Sequence, residues 1–297
     1  MGRVSKLMSK EVRDGYLFAS PWIVGFILFY LGPILATLFL SFTEYKIPLM
    51  PKWVGLDNYF SLFTQDIQFK VSLYNTAYYT AFVVPLSICG SLAMATLMNK
   101  NLKGIAIYRT AVYLPAVTSG VAVALLWMWL LNPNIGIINY ILGKLGLPQP
   151  LWLQDEKWAK PALILMQLYY IGGNTMVVFL SGLQGVSQSL YEAAEIDGAN
   201  WWHKFRHVTI PMISPIILFN LIMAVINSFQ VFTQAFVMTQ GGPNNSTMFY
   251  VYYLYNVAFW WGRLGYAAAL AWILFVIVFI LTVIQLKLSG RWVYYAG

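Results

Sequence analysis

Charge is scarce in this 297-residue chain: Asp, Glu, Lys and Arg make up 9% of it, while apolar residues make up 60%. A soluble globular domain carries about a quarter charged residues, so that class is excluded and lipid becomes the required solvent. Acidic residues are the rarer sign, 10 against 18 Lys plus Arg, and none falls within the long apolar stretches. Ion-coupled carriers hold their coupling ion on ionisable groups at membrane depth, so this absence argues against a self-sufficient secondary transporter. The one cysteine, Cys89, excludes an intrachain disulfide. No GxxxxGK[ST] phosphate loop is present, because the Gly143–Lys144 pair lacks the upstream glycine. Any energy for active transport must therefore come from another chain, and no cofactor is expected. His203 and His207 stand four apart without a third ligand or the glutamate of HExxH, which favours a basic flank over a metal site. No constellation for enzyme chemistry is visible.

What the chain does contain is six charge-free stretches, residues 15–43, 71–99, 110–143, 161–191, 207–262 and 264–286. Each exceeds the roughly 20 residues that cross a bilayer as helix. The expected spans are 16–42, 71–98, 107–131, 162–184, 210–238 and 264–286, an all-α integral membrane protein with six transmembrane helices. Continuous rather than alternating apolarity excludes a β-barrel. Pro33, Pro85, Pro115 and Pro215 fall inside these spans, where neighbouring helices can accommodate a kink. Gly120–Ala124 and Gly265–Ala269 have the small-xxx-small spacing of close helix contacts.

Orientation follows from Lys and Arg, which concentrate at Arg3, Lys6, Lys10 and Arg13, at Lys100, Lys103 and Arg109, at Lys204 and Arg206, and at Lys287 and Arg291. These four regions are expected to be cytoplasmic, which puts both termini inside. The aromatic stretch 248–261 is too short for a seventh span and is expected near the outer interface, where Tyr and Trp are favoured. The first apolar run is too long for a cleavable signal and should remain as a span. A net charge of +8 fits flanks facing anionic lipid, with no sign of nucleic acid.

The segment 189–211 reads SLYEAAEIDGANWWHKFRHVTIP. It predicts a helix–turn–helix: Ser189 and Glu192 as a capping box, Gly198 as a left-handed stop, and apolar residues resuming at Trp201, Trp202, Phe205 and Val208 before Pro211 opens the next span. Ala193 and Ala194 would let its backbone approach a partner closely. Glu192, Glu195 and Asp197 make it acidic where a cytoplasmic loop is usually basic; a solvated amphipathic loop accounts for the same residues.

The run EAAEIDGANWWHKFRHVTIP resembles the EAA loop of importer permeases in the ATP-binding-cassette (ABC) superfamily. FLSGLQGVSQSLYEAA before it, and FVMTQGGPNNST and GYAAALA after it, are similar to the carbohydrate-uptake group of the maltose-transporter and glycerol-phosphate-transporter permeases. The resemblance covers residues 71–288. It implies a type I importer permease fold with a first segment 1–70 (tail, first helix and external loop), a permease domain 71–288 with its coupling loop at 189–211, and a tail 289–297. It implies a bacterial or archaeal cytoplasmic membrane location. The implied partners are a second permease subunit, a pair of cytoplasmic ATP-binding subunits, an extracytoplasmic solute-binding protein, a sugar substrate and membrane lipid.

By the same resemblance, Glu192, Ala193, Ala194, Asp197, Gly198, Ala199, Phe205 and Pro211 couple to the ATPase, with Glu192 meeting a basic residue there. Ser187 departs from the proline common in this group before the coupling helix. Substrate-facing positions correspond to Ala116, Gly120, Gln167, Tyr169, Ile171, Asn174, Asn227, Ser228 and Val231; packing between helices is the competing role for Tyr169 and Asn227. A permease of the same superfamily for glycerol phosphate, an amino acid or a peptide is the alternative. Charged solutes call for opposite charge in the pathway, which these spans lack. A self-contained channel would have no use for an acidic docking helix.

Overall fold

Apolar runs of this length become helices because a helix pairs its own backbone groups where no water can. The computed structural model describes residues 2–100 and 102–294. In chain order the helices are α1 (Gly2–Phe26), α2 (Gly32–Ser41), α3 (Asp57–Thr64), α4 (Ile67–Met98), α5 (Ile105–Val117), α6 (Gly120–Leu130), α7 (Ile137–Lys144), α8 (Glu156–Leu168), α9 (Asn174–Gln184), α10 (Gln188–Ile196), α11 (Trp201–Lys204), α12 (Ile210–Met212), α13 (Ser214–Phe229), α14 (Tyr250–Tyr255) and α15 (Leu264–Ser289). A two-stranded ribbon, β1 (Thr43–Glu44) against β2 (Lys52–Trp53), pairs Thr43 with Trp53 and Glu44 with Lys52, a small departure from the all-helical expectation. Met1 and residues 295–297 of the expected tails lie outside the described residues.

The helices fall into two units, residues 2–65 with 255–274 and residues 66–254 with 275–294. In the first, α1 and α2 form one membrane-capable stretch, Glu11–Ser41, joined by a π-helical turn at Ile27–Leu31. The wider turn precedes Pro33, whose missing N–H and ring would otherwise break the ladder. Trp22, Phe26 and Tyr30 stack along one exposed side with ring centroids 5.6 and 6.1 Å apart. Beyond α2, Asn58 Nδ2 donates to the Ser41 and Thr43 carbonyls, both at 2.9 Å, and fastens the ribbon. Gly265 is where α15 meets β1: a Cβ there would collide with the Thr43 carbonyl oxygen.

The second unit is organised around α4. Asp66 accepts from the Phe69 N–H at 2.8 Å as its N-cap, and Tyr79, Val83, Leu163, Met166 and Phe249 meet in the core. Asn75, buried on α4, donates to the Asn245 and Met248 carbonyls and accepts from Lys160 Nζ at 3.0 Å. The Lys160 ammonium lies over the Tyr74 and Tyr78 rings, which lowers the cost of carrying a cation on α8.

Among the described residues, three helices are long and apolar enough to cross a membrane alone; three further candidates are bent pairs. The expected span 107–131 turns by 96° between α5 and α6, 162–184 breaks by 41° at Tyr169–Gly173, and the entry to 210–238 bends by 69° at Ile213. Helix α13 also ends at Phe229, well short of residue 238. Each break frees carbonyls, and a hydroxyl lies at each. Thr118 Oγ1 donates to Leu114 O at 3.1 Å, Ser91 Oγ to Ile171 O at 2.8 Å, and Ser214 Oγ to Pro211 O at 2.6 Å. The 248–261 stretch is helical: Phe249, Tyr250, Tyr252 and Tyr253 are buried, while Phe259, Trp260 and Trp261 are exposed. Burial follows from Thr76 Oγ1 accepting the Tyr250 N–H at 2.9 Å, which draws the start of α14 onto α4.

Ser91→Ala leaves the Ile171 carbonyl without its donor, a loss of about 1–3 kcal/mol for a buried acceptor. Thermal unfolding in detergent should show a lower midpoint than wild type; an unchanged midpoint would mean that another group covers the carbonyl.

Candidate functional site

The loop between α9 and α13 is built locally. Helix α10 starts at Gln188 with Ser187 as N-cap, at φ −59° and ψ 131°, so the expected Ser189–Glu192 capping box does not form. The Ser187 hydroxyl lies 2.7 Å from that of Ser189, which ties both side chains to each other. At the other end the sequence reading holds: Gly198 has φ +78°, the Ala199 N–H donates to Ala194 O at 2.8 Å, and the Gly198 N–H to Glu195 O at 3.0 Å. This pair of bonds is a Schellman stop, which needs the left-handed residue. Asn200 then caps α11, accepting the His203 N–H at 2.9 Å.

Glu192, Ala193, Asp197 and Gly198 are exposed, and Ala194, Ala199, Phe205 and Pro211 are half-buried. Glu195 is ion-paired to Lys204 across the turn, whereas Glu192 makes no ion pair among the described residues. The Tyr191 and Thr209 hydroxyls, 3.0 Å apart, tie the two arms together. Phe205 stacks with Trp201 and Trp202 at 5.5 and 5.9 Å, and a π-helical turn at Phe205–Thr209 accommodates Pro211 as a similar turn does for Pro33.

Inside the second unit, α4, α8, α9 and α13 surround a cavity of about 300 Å³. Gln167, Asn227, Ser228 and Val231 line it. The other five expected positions do not. Tyr169 packs edge-on against Trp127 at 6.2 Å, Ile171 lies against Gly90, and Asn174 accepts from the Tyr113 hydroxyl at 2.9 Å. Ala116 meets the break at Gly173, and Gly120 opens α6 beside Thr233. No ionisable carboxylate, Lys or Arg lines the cavity. Gln167 Oε1 accepts from Gln234 Nε2 at 3.0 Å and stands 3.4 Å from the Tyr79 hydroxyl, so one amide gathers groups from α8, α4 and the segment after α13. The Asn227 side chain makes no hydrogen bond within the described chain and is open to a ligand. Neutral donors and acceptors in an apolar wall can hold a hydroxyl-rich, uncharged solute.

Comparison with known proteins decides the family. Residues 87–294 match the model of the binding-protein-dependent transport system inner membrane component. The chain belongs to this family. Over 295 residues it is 42% identical to the "Probable ABC transporter permease protein YesP" of Bacillus subtilis (strain 168), covering 98% of this chain and 95% of that relative. It is 33% identical to the arabinooligosaccharides transport system permease protein AraP of the same organism, across 93% of this chain and 88% of AraP. Among solved structures, a chain of a bacterial ABC transporter involved in the import of the acidic polysaccharide alginate aligns with a TM-score of 0.83 at 25% identity, covering 96% of this chain and 99% of that one. The fold is thus the helical type I ABC importer permease fold, in an inner-membrane component with several membrane-capable helices.

Within this permease, reading the sequence missed Tyr79, Thr175, Gln230, Thr233 and Gln234 on the cavity wall. A signal was present: the run Asn227–Ser228–Phe229–Gln230–Val231–Phe232–Thr233–Gln234 places five polar residues in an apolar stretch. The turn in the loop gives the sharpest structural test. A Cβ at Gly198 meets nothing within 4 Å, so substitution there costs conformation rather than space, about 1–2 kcal/mol for a residue unsuited to the left-handed region. Gly198→Val should speed amide hydrogen exchange around the α10–α11 turn, and Gly198→Asn should change it little. Equal protection in all three proteins would mean that the turn does not depend on a left-handed residue.

Proposed function

We propose that this permease forms half of the translocation pathway for a neutral sugar or oligosaccharide. It would pair with a second permease subunit, bind a pair of cytoplasmic ATP-binding subunits and receive its solute from an extracytoplasmic binding protein. The observation that carries the reading is the uncharged, amide-rich cavity around Gln167 and Asn227. The name of AraP supports sugar over glycerol phosphate, amino acid or peptide as the cargo class.

In this reading the three bent pairs each act as one span, making six with both termini cytoplasmic in the cytoplasmic membrane of a bacterium or archaeon. Residues 71–288 are the permease domain, 1–70 an added first helix with its outer loop, and 289–297 a tail. Gln167, Asn227, Ser228 and Val231 contact sugar in the cavity, and Ala116, Gly120, Tyr169, Ile171 and Asn174 border the path at the breaks of the spans.

Helix α10 transmits ATP-driven closure. Glu192 is exposed and makes no ion pair among the described residues, so it is available to a basic residue of the ATPase, while Glu195 is held by Lys204. Ala193 and Ala194 allow close approach, Asp197, Gly198 and Ala199 form the turn, and Phe205 and Pro211 connect it to α13. ATP hydrolysis belongs to the partner chains. Closure on the cytoplasmic side would rock α10 and reshape the cavity, exposing the sugar first to one side and then to the other.

Filling the cavity tests the assignment. Asn227→Leu replaces a free amide with an apolar group and should cut uptake of a neutral saccharide at least tenfold, the scale of one lost hydrogen bond to a buried polar partner. The complex with the ATPase should still assemble. Wild-type uptake by this variant would move the sugar path elsewhere.

A further inference from the structure

We propose that a hollow between the end of α6 and α7 is a second saccharide-contact site, separate from the central cavity; the inference rests on the sugar reading above. The hollow has a volume of about 670 Å³ and is lined in part by Trp129, Asn134, Tyr140, Lys144 and Gln149. Trp129 and Tyr140 are 55% and 64% exposed there, an indole and a phenol presented to a concave surface. The side-chain amides of Asn134 and Gln149 make no hydrogen bond within the described chain. Aromatic faces with unengaged amides beside them match a sugar ring, whose C–H face is apolar and whose edge carries hydroxyls.

The hollow is preformed. Asn139, 3% exposed, donates to the Pro133 and Pro150 carbonyls at 3.2 and 3.0 Å and accepts from Trp152 Nε1 at 2.7 Å, which pins both rims to one floor. Lys144 Nζ sits 5.5 Å from the centre of the Tyr140 ring and steadies it. A Cβ at Gly143 would overlap the Gln149 amide, so the glycine leaves that amide its place. Helix α6 links this site to the cavity: its first residue, Gly120, lies beside Thr233 of the cavity wall, and Trp129 stands nine residues on, about 14 Å along the axis. At that separation a short saccharide held in the cavity would fall short of the hollow, and only a long one would touch both.

The test is length discrimination by the assembled transporter in proteoliposomes. The probe is a mixed series of neutral oligosaccharides from disaccharide to hexasaccharide, delivered by the binding protein, with uptake read by mass spectrometry. The binding protein's own preference is the same for every variant and cancels when a variant's long-to-short ratio is divided by that of the wild type. Trp129→Ala, Gln149→Ala and Gly143→Val should each lower that ratio by roughly two- to tenfold, with disaccharide uptake unchanged and Trp129→Phe near wild type. Because Gln149 is exposed, its variant removes an amide without disturbing packing. An unchanged ratio, or equal loss at every length, would overturn the second site and leave the sugar reading standing. Failure of the wild-type transporter to take up any member of the series would overturn the sugar reading and the second site with it.

Discussion

A backbone carbonyl or amide inside an apolar medium must find a partner, and this requirement decides where the chain can depart from straight helix. Among the described residues, three sharp bends occur in membrane-capable segments, at Thr118–Ser119, at Tyr169–Gly173 and at Ile213. All three are supported by a hydroxyl: Thr118 within its own helix, Ser91 reaching from α4, and Ser214 turning back on Pro211. The break at Tyr169–Gly173 lies beside the cavity: Gln167 before it and Thr175 after it both line the wall, where Gln167 is bridged to Gln234.

The same economy of charge shapes both ends of the proposed mechanism. With no carboxylate, Lys or Arg on its wall among the described residues, the cavity would offer the proposed sugar hydrogen bonds that neither trap an ion nor demand one. The few carboxylates are spent elsewhere. Glu195 is consumed by Lys204 in stiffening the α10–α11 turn, which leaves Glu192 exposed for a partner.

The parts of this structure legible in the sequence are those governed by local or compositional rules. Charge-free runs located the apolar helices, and Gly198 announced the left-handed stop, because glycine adopts that conformation at the least cost. The N-cap was misplaced by two residues: Ser187 and Ser189 are the same cap-forming residue type, and the S-x-x-E pattern does not decide between them. Hydropathy could not reveal the three bends, since an apolar run reads the same whether straight or folded back, and the supporting hydroxyl can come from a distant helix, as Ser91 does for Ile171. Composition alone could not show that the first half of the aromatic stretch 248–261 is buried. Its burial depends on Asn75 and Thr76, some 170 residues away in sequence, meeting its backbone. Of the expected cavity residues, Gln167, Asn227, Ser228 and Val231 face the cavity, while Asn174 is engaged by Tyr113, a contact that spacing along one helix does not encode.

The central claim is that sugar passes through the cavity of this chain. The most direct measurement is an electron cryomicroscopy structure of the assembled transporter, held closed by a non-hydrolysable ATP analogue and supplied with saccharide-loaded binding protein. The account predicts density for a sugar within hydrogen-bonding distance of Gln167 and Asn227. Sugar density bound only by the partner permease, with this cavity filled by its own side chains, would contradict it.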